Sequence, residues 1–250
     1  MIDLDRAAGR LRLDLAAFDA LVVAAGGDGG QAPPQGPTTS EATAVLTTAG
    51  VLGPHGVDEA VRPLVDAVRR PVCLVTLDVA GLRGTAAHRF WLAPGTGAGL
   101  LHVSGPTHQL VGVQPTHLPS ALGRVVRLAP RPRLPEAPLD LDPAVLQDLA
   151  DPEARRRQAT ADQLGDAAPA GWEAWAVELR EGRWRGWTVT ATWPGADEEV
   201  GGRVLSVVDT AAGTVGMLDV EATTLRATTP SAVWLALCRL LPADDELPPV

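Results

Sequence analysis

"TTPSAVWLALCRLLP", residues 228–242, reads as a helix with both of its ends written in. Thr229 can cap it, and Pro230 suits a first helical position whose N–H would be unsatisfied anyway. An apolar run follows, and Pro242 stops it. The plan already stands earlier in the chain as "THLPSALGRVVRLAP", residues 116–130. Pro119-Ser120-Ala121 answers to Pro230-Ser231-Ala232, and Arg127-Leu128 to Arg239-Leu240. Working backwards from each helix gives strands. Residues 71–80, 87–94, 99–105 and 108–114 precede the first; residues 172–180, 183–193, 202–210 and 214–222 precede the second. All are strand-length runs divided by turn residues, and the short gaps require antiparallel hairpins. The expected fold class is therefore α+β, a quasi-two-fold duplicated architecture with a central antiparallel β-sheet and flanking helices.

Further elements fill in around this frame. Residues 11–15 read as a short strand, followed by a helix capped by Asp14 and ended by Gly26-Gly27. Residues 26–37, rich in Gly, Pro and Gln, read as loop, and residues 39–50 and 56–70 as helices, the second with Pro63 inside it. Residues 129–142 are Pro-rich and read as a linker. Two short helices follow, each opened by Asp-Pro, at Asp142-Pro143 and Asp151-Pro152. The expected organisation is a first half over 1–128, the linker over 129–142 and a second half over 143–250, together one globular domain.

Hydrophobic residues make up 46% and charged residues 20% of the 250, so the chain can bury a core. Its net charge of −9 argues against nucleic acid, whose phosphates need a basic face. Every basic residue apart from histidine is Arg. The opening "MIDLDRAAGR" has no basic stretch leading into an apolar one, so no signal peptide is expected, and no run reaches the roughly 20 apolar residues that span a bilayer. Cys73 and Cys238 lie in apolar stretches and read as buried, reduced thiols. Together these place the chain in the cytoplasm, with no membrane span.

Chemistry is sparse. Without Lys there is neither a Walker A loop nor a Schiff-base lysine. "GTGAG", residues 95–99, precedes a strand and reads as a hairpin turn, since phosphate cradling needs a helix N-terminus. None of Ser40, Ser104, Ser120, Ser206 and Ser231 sits in Gly-x-Ser-x-Gly. His88, His102 and His108 fall on neighbouring expected strands and are the best metal or acid–base candidate. Their spacing is not a ligand spacing, and the plain reading is partly exposed strand and turn histidines. Asp14, Asp142 and Asp151 read as helix caps. Arg155-Arg156-Arg157 reads as a solvated helix face, or as a contact for an acidic partner group. No metal, no cofactor and no catalytic residue is expected.

The tryptophans carry more. Five of the seven, all but Trp91 and Trp234, fall between 172 and 193. Read as strands, Trp175, Val177 and Leu179 share one face, and Trp187, Val189, Ala191 and Trp193 another. Trp172 and Trp184 then point the opposite way, and either a helix covers them or they form an exposed aromatic patch for a partner.

Four stretches resemble one family, the EspG chaperones of type VII (ESX) secretion systems. They are "LDLAAFDALVVAAG" at the start, "AVRRPVCLVTLDV" leading into a long strand, "LPSALGRVVRLAPRP" before the Pro-rich linker, and "VLSVVDTAAGTVGMLDVEATTLRATTPSAVWLALCRLLP" at the end. The resemblance implies a non-enzymatic, cytosolic chaperone that binds the helical tip of a PE/PPE-like client and keeps it soluble for export. It also implies a binding surface made of the hairpin loop after the first long strand, the sheet and a helical bundle. Here these correspond to residues 80–87, to outward sheet residues and to the helices near 143–164. Candidate partner-binding residues are Leu82 and Arg83 on the loop, Trp172 and Trp184, and Arg155 and Arg156. The alternatives are a non-enzymatic interaction or neutralising protein with another client, and a small-molecule enzyme using the strand histidines.

Overall fold

The computed structural model describes residues 2–26, 38–140, 143–195, 199–218 and 224–247. The loop expected after Gly26, Asp142 as a cap, and the end of the strand expected over 214–222 lie outside the described residues. Elements run in the order β1 Asp3–Asp5, β2 Arg10–Leu13, α1 Leu15–Ala24, α2 Thr38–Thr48, β3 Leu52–Gly53, β4 Gly56–Val57 and α3 Arg62–Arg69. Next come β5 Cys73–Gly81, β6 Gly84–Ala93, β7 Thr96–Ser104, β8 Thr107–Gly112 and α4 Leu118–Val125. They continue with β9 Pro138–Asp140, α5 Pro143–Asp148, α6 Ala154–Asp166, α7 Glu173–Arg180, β10 Trp184–Pro194, β11 Val200–Thr210, β12 Gly213–Met217, β13 Thr224–Thr228 and α8 Pro230–Cys238. The class is α+β with antiparallel pairing, as the hairpin spacing requires.

The chain divides into two compact units, residues 1–75 with 88–118, and residues 76–87 with 119–250. The hairpin of β5 and β6 is thus shared, its outer part 76–87 going to the second unit. The first unit has the sheet order β1-β2-β8-β7-β6. Its core packs Leu11, Leu13, Phe18, Leu21, Val65 and Leu110, and Phe18 stacks on Trp91 with 5.5 Å between ring centroids. Asp14 caps α1 by accepting from the Ala17 N–H at 2.8 Å. The helix expected over 56–70 begins only at Arg62, because Pro63 lacks an N–H and so marks a first turn.

In the second unit the order is β5-β10-β11-β12-β13-β9. Thr229 caps α8 by accepting from Ala232, with Pro230 in the first turn. Its plan differs from the sequence reading at three points. Residues 138–140, inside the stretch expected to be linker, form a strand that pairs with β13 through Leu139 and Leu225. Cys238 is exposed, since α8 buries the Val233 and Leu237 side of the helix, whereas Cys73 is buried. The largest difference is residues 172–180, which are helix and not strand. The buried side chains are Trp172, Trp175, Ala176 and Leu179, spaced 3, 4 and 7 apart, while Val177 is 45% exposed. A strand would have put Val177 beside Trp175; a helix turns it to the other side.

These two geometries predict different mutational costs. Trp175→Ala should cost about 3–5 kcal/mol by emptying a core site. Val177→Asp should cost within about 0.5 kcal/mol, as for other surface changes. Urea unfolding midpoints of the two variants check this, and equal losses would contradict the helical face.

Candidate partner-binding site

Sheet pleat and helix cover together make one cleft in the second unit. Along β10, Trp187, Val189, Ala191 and Trp193 are buried on one face, as the period-2 pattern expects. On the other face the in-register pairs are Trp184↔Thr210, Gly186↔Val208, Thr188↔Ser206 and Thr190↔Val204. α5, α6, α7 and the residues that flank them supply Leu149, Leu164, Trp172 and Trp175 to the core around Trp184 and Val208. Towards Thr190, Thr192 and Val204 the sheet is only half covered. Where the cover ends lies a cleft of about 370 Å³. The sheet gives the floor, with Asp78 and Ala80 of β5, Gly186 and Thr188 of β10, Ser206 of β11 and Met217 of β12, and Leu146, Gln147, Leu149 and Ala150 of α5 and its C-terminal turn line the helix side. The lining is mainly apolar, and Thr188 Oγ1 and Ser206 Oγ satisfy each other at 3.0 Å.

At the tip of the β5–β6 hairpin, Leu82 is 39% exposed and Arg83 is exposed. Leu82 is not a free side chain. It lies against Gly182, where an added Cβ would collide with Leu82 Cδ2. The tip is held by Arg157, which is only 3% exposed and donates to the carbonyls of Gly81 and Leu82 at 3.0 and 3.1 Å. Its Nη1 donates to the carbonyls of Asp151 and Pro152 at 2.7 and 2.8 Å. Reading the Arg run as one solvated face missed this residue. The signal was positional: Arg157 stands on the same helical stripe as buried Thr160, Ala161 and Leu164.

The other expected partner residues separate. Arg155 is exposed, and Arg156 is exposed while reaching Asp151 and Glu153 at 3.4 and 3.3 Å. Asp151 is not the cap of α6; it accepts from the N–H of Glu153, the residue just before that helix. Trp172 and Trp184 are buried and form no outer patch. Trp172 donates its indole N–H to the Pro135 carbonyl at 2.9 Å and meets Trp175 edge to face. Once 172–180 is a helix, both rings have a layer to pack into, which an exposed strand face would not have given them.

The histidines do converge, in the first unit, on β6, β7 and β8. His102 stands opposite His108, with ring centroids 5.3 Å apart. His88 is buried, contrary to the plain reading, and its Nδ1 accepts the His102 backbone N–H at 3.2 Å. His102 Nε2 lies 2.9 Å from the Gly105 carbonyl, and His108 Nδ1 lies 3.1 Å from that of Pro106. Burial, then the charges of His102 and His108, push the His88 pKa down to about 4. Among the described residues no group of three His, Cys, Asp or Glu is arranged to hold a metal ion.

No family model and no curated protein matches this chain. Solved structures do. The Mycobacterium tuberculosis type VII secretion system chaperone EspG5, determined in complex with a PE25-PPE41 dimer, matches with a TM-score of 0.60 at 13% identity, over 96% of this chain and 97% of that one. The chain therefore has an EspG-like fold. No described helix is long and apolar enough to cross a membrane.

The buried imidazole has a measurable consequence. Folded His88 stays neutral down to about pH 4, whereas an unfolded histidine protonates below about 6.5. Between those values the unfolded state binds more protons, so stability should fall as pH falls through that window and show no His88 contribution above it. His88→Gln keeps an acceptor for the His102 N–H and should flatten that slope, as measured by urea unfolding between about pH 7 and about pH 4.5.

Proposed function

We propose that this chain is a secretion-associated chaperone that holds the helical end of a PE/PPE-like client and keeps its apolar surface from water before type VII export. The observation that carries this reading is the convergence, on an EspG-like fold, of hairpin, open sheet and α5 around one apolar cleft. Those are the three parts that the family resemblance implies for client contact.

Energetics favour the cleft over the loop as the main source of affinity. Burying Leu82 fully would contribute about 1.5–3 kcal/mol at most, and less for a side chain already packed on Gly182. Micromolar binding requires about 8 kcal/mol. A client helix must therefore also cover Val204, Met217 and Leu146, presenting side chains at helical spacing to the groove. Arg83, exposed at the tip, is placed to orient an acidic client group. Such a chaperone needs apolar area and shape and no reactive group, and is not an enzyme. It works in the cytoplasm, before the client reaches the secretion machinery.

The test is co-purification and titration with PE–PPE-type pairs. Native chain should bind such a pair and raise its soluble yield. Val204→Asp and Leu82→Asp should each weaken binding by about tenfold or more, since each buries a charge at the contact. Absence of binding to any PE–PPE pair, or binding that neither variant alters, would overturn the reading.

A further inference from the structure

We propose that Arg157 is the positioning residue that sets the width of the cleft. As a statement about client binding this rests on the proposed function; as a statement about cleft geometry it does not. The cleft lining includes Ala80 of β5 on the sheet side and Ala150 on the helix side. The residues that follow them, Gly81-Leu82 and Asp151-Pro152, all give their carbonyls to the one guanidinium. Nε and Nη2 serve the hairpin side, and Nη1 serves the side that follows α5. The planar fork therefore acts as a strut between the two rims.

Its mounting is rigid. α6 carries Arg157 beside Thr160, Ala161 and Leu164, which are buried in the core. The next residue, Gln158, donates to the Leu179 carbonyl at 3.0 Å and so ties α6 to α7. The strut holds its charge in a buried place with no ion pair among the described residues; four carbonyl dipoles meet it instead. No other side chain is suited to this. Lysine offers a single point donor in place of a fork and cannot bridge both rims with the same geometry. Removing the guanidinium takes a donor from four carbonyls on the two segments that it joins. α5, six residues long, then has chiefly Leu149 to hold its end of the wall in the core.

The experiment measures the rims directly in the full chain. Spin labels are placed at Arg83→Cys and Asp148→Cys, both exposed, with the exposed native thiol removed as Cys238→Ser. The label-to-label distance distribution is then compared for Arg157, Arg157→Lys and Arg157→Met. A narrow distribution for Arg157, one at least about twofold broader for Met, and an intermediate one for Lys is the expected result. An unchanged distribution in Arg157→Met would overturn the proposal. Should the Met variant fail to fold, amide exchange in the native chain decides instead. Arg83 and Glu153 should open with the same protection, within about threefold, because one strut closes both rims, and clearly different protection would overturn it. Titration with a PE–PPE pair is run on the unlabelled Arg157 variants with Arg83 and Asp148 intact, and Arg157→Met should bind about tenfold more weakly with partial recovery in Arg157→Lys. If native chain binds no such pair, the client reading fails while the distances still decide the strut.

Discussion

The pairing of β10 with β11 is the constraint on which the second unit depends. It runs in unbroken antiparallel register from Trp184↔Thr210 to Pro194↔Val200. Because side chains alternate across a strand, that register sends Trp187, Val189, Ala191, Leu205 and Val207 to a dry face in a single step. A one-residue slip of β10 would turn Thr188 and Thr190 inward and carry Trp187 and Trp193 to the opposite face. The same register leaves Thr190, Thr192 and Val204 on a face that the helices cover only in part, which is why the cleft lies where it does.

Charge is arranged around that ladder and kept off the cleft floor. Asp209, opposite Arg185 in register, takes both of its oxygens to Arg131 and accepts from Thr214 at 2.8 Å. This hydrogen bonding holds the Arg131 guanidinium charged above its ordinary range. At the other end Arg203 pairs with Glu246 at 2.7 Å and stacks over Trp193 at 5.0 Å, covering the last aromatic ring of the strand. Both ion pairs fasten segments outside β10 and β11, residues 131 and 246, onto the ladder. The cleft keeps Asp78 at its edge and is otherwise lined by neutral side chains. An apolar occupant of the proposed kind would meet few groups to desolvate there.

The chain runs through a similar succession of elements twice: a short strand, three helices, a four-strand meander and a closing helix. These are β2, α1 to α3, β5 to β8 and α4, and then β9, α5 to α7, β10 to β13 and α8. The edge strand β9 escaped the sequence reading because Pro138–Asp140 offers one inward side chain, Leu139, and three residues carry no visible period. The stretch 172–180 was misread for the opposite reason. "WEAWAVELR" satisfies both a period of 2 and a period of 3.6, and nothing local decides between them. The core did, by offering Trp172, Trp175 and Leu179 a common site that only a helix can fill.

What the sequence determined by itself was local: caps and stops, as at Thr229 and Pro63; the pleat of β10; the hairpin spacing that requires antiparallel pairing; and a motif order that resembles EspG chaperones. Each of these is set by residues a few positions apart, through hydrogen bonds and backbone restrictions that the local chain supplies on its own. What only the tertiary structure decided was which faces meet water. Trp172 and Trp184 went into the core, Cys238 came out of it, and His88 was buried against His102. Arg157 was drawn from a run of three arginines to face two carbonyls 75 and 76 residues away in the chain. Burial and long-range hydrogen bonding depend on what packs opposite, and a pattern read along one strand or one helix does not contain its neighbour.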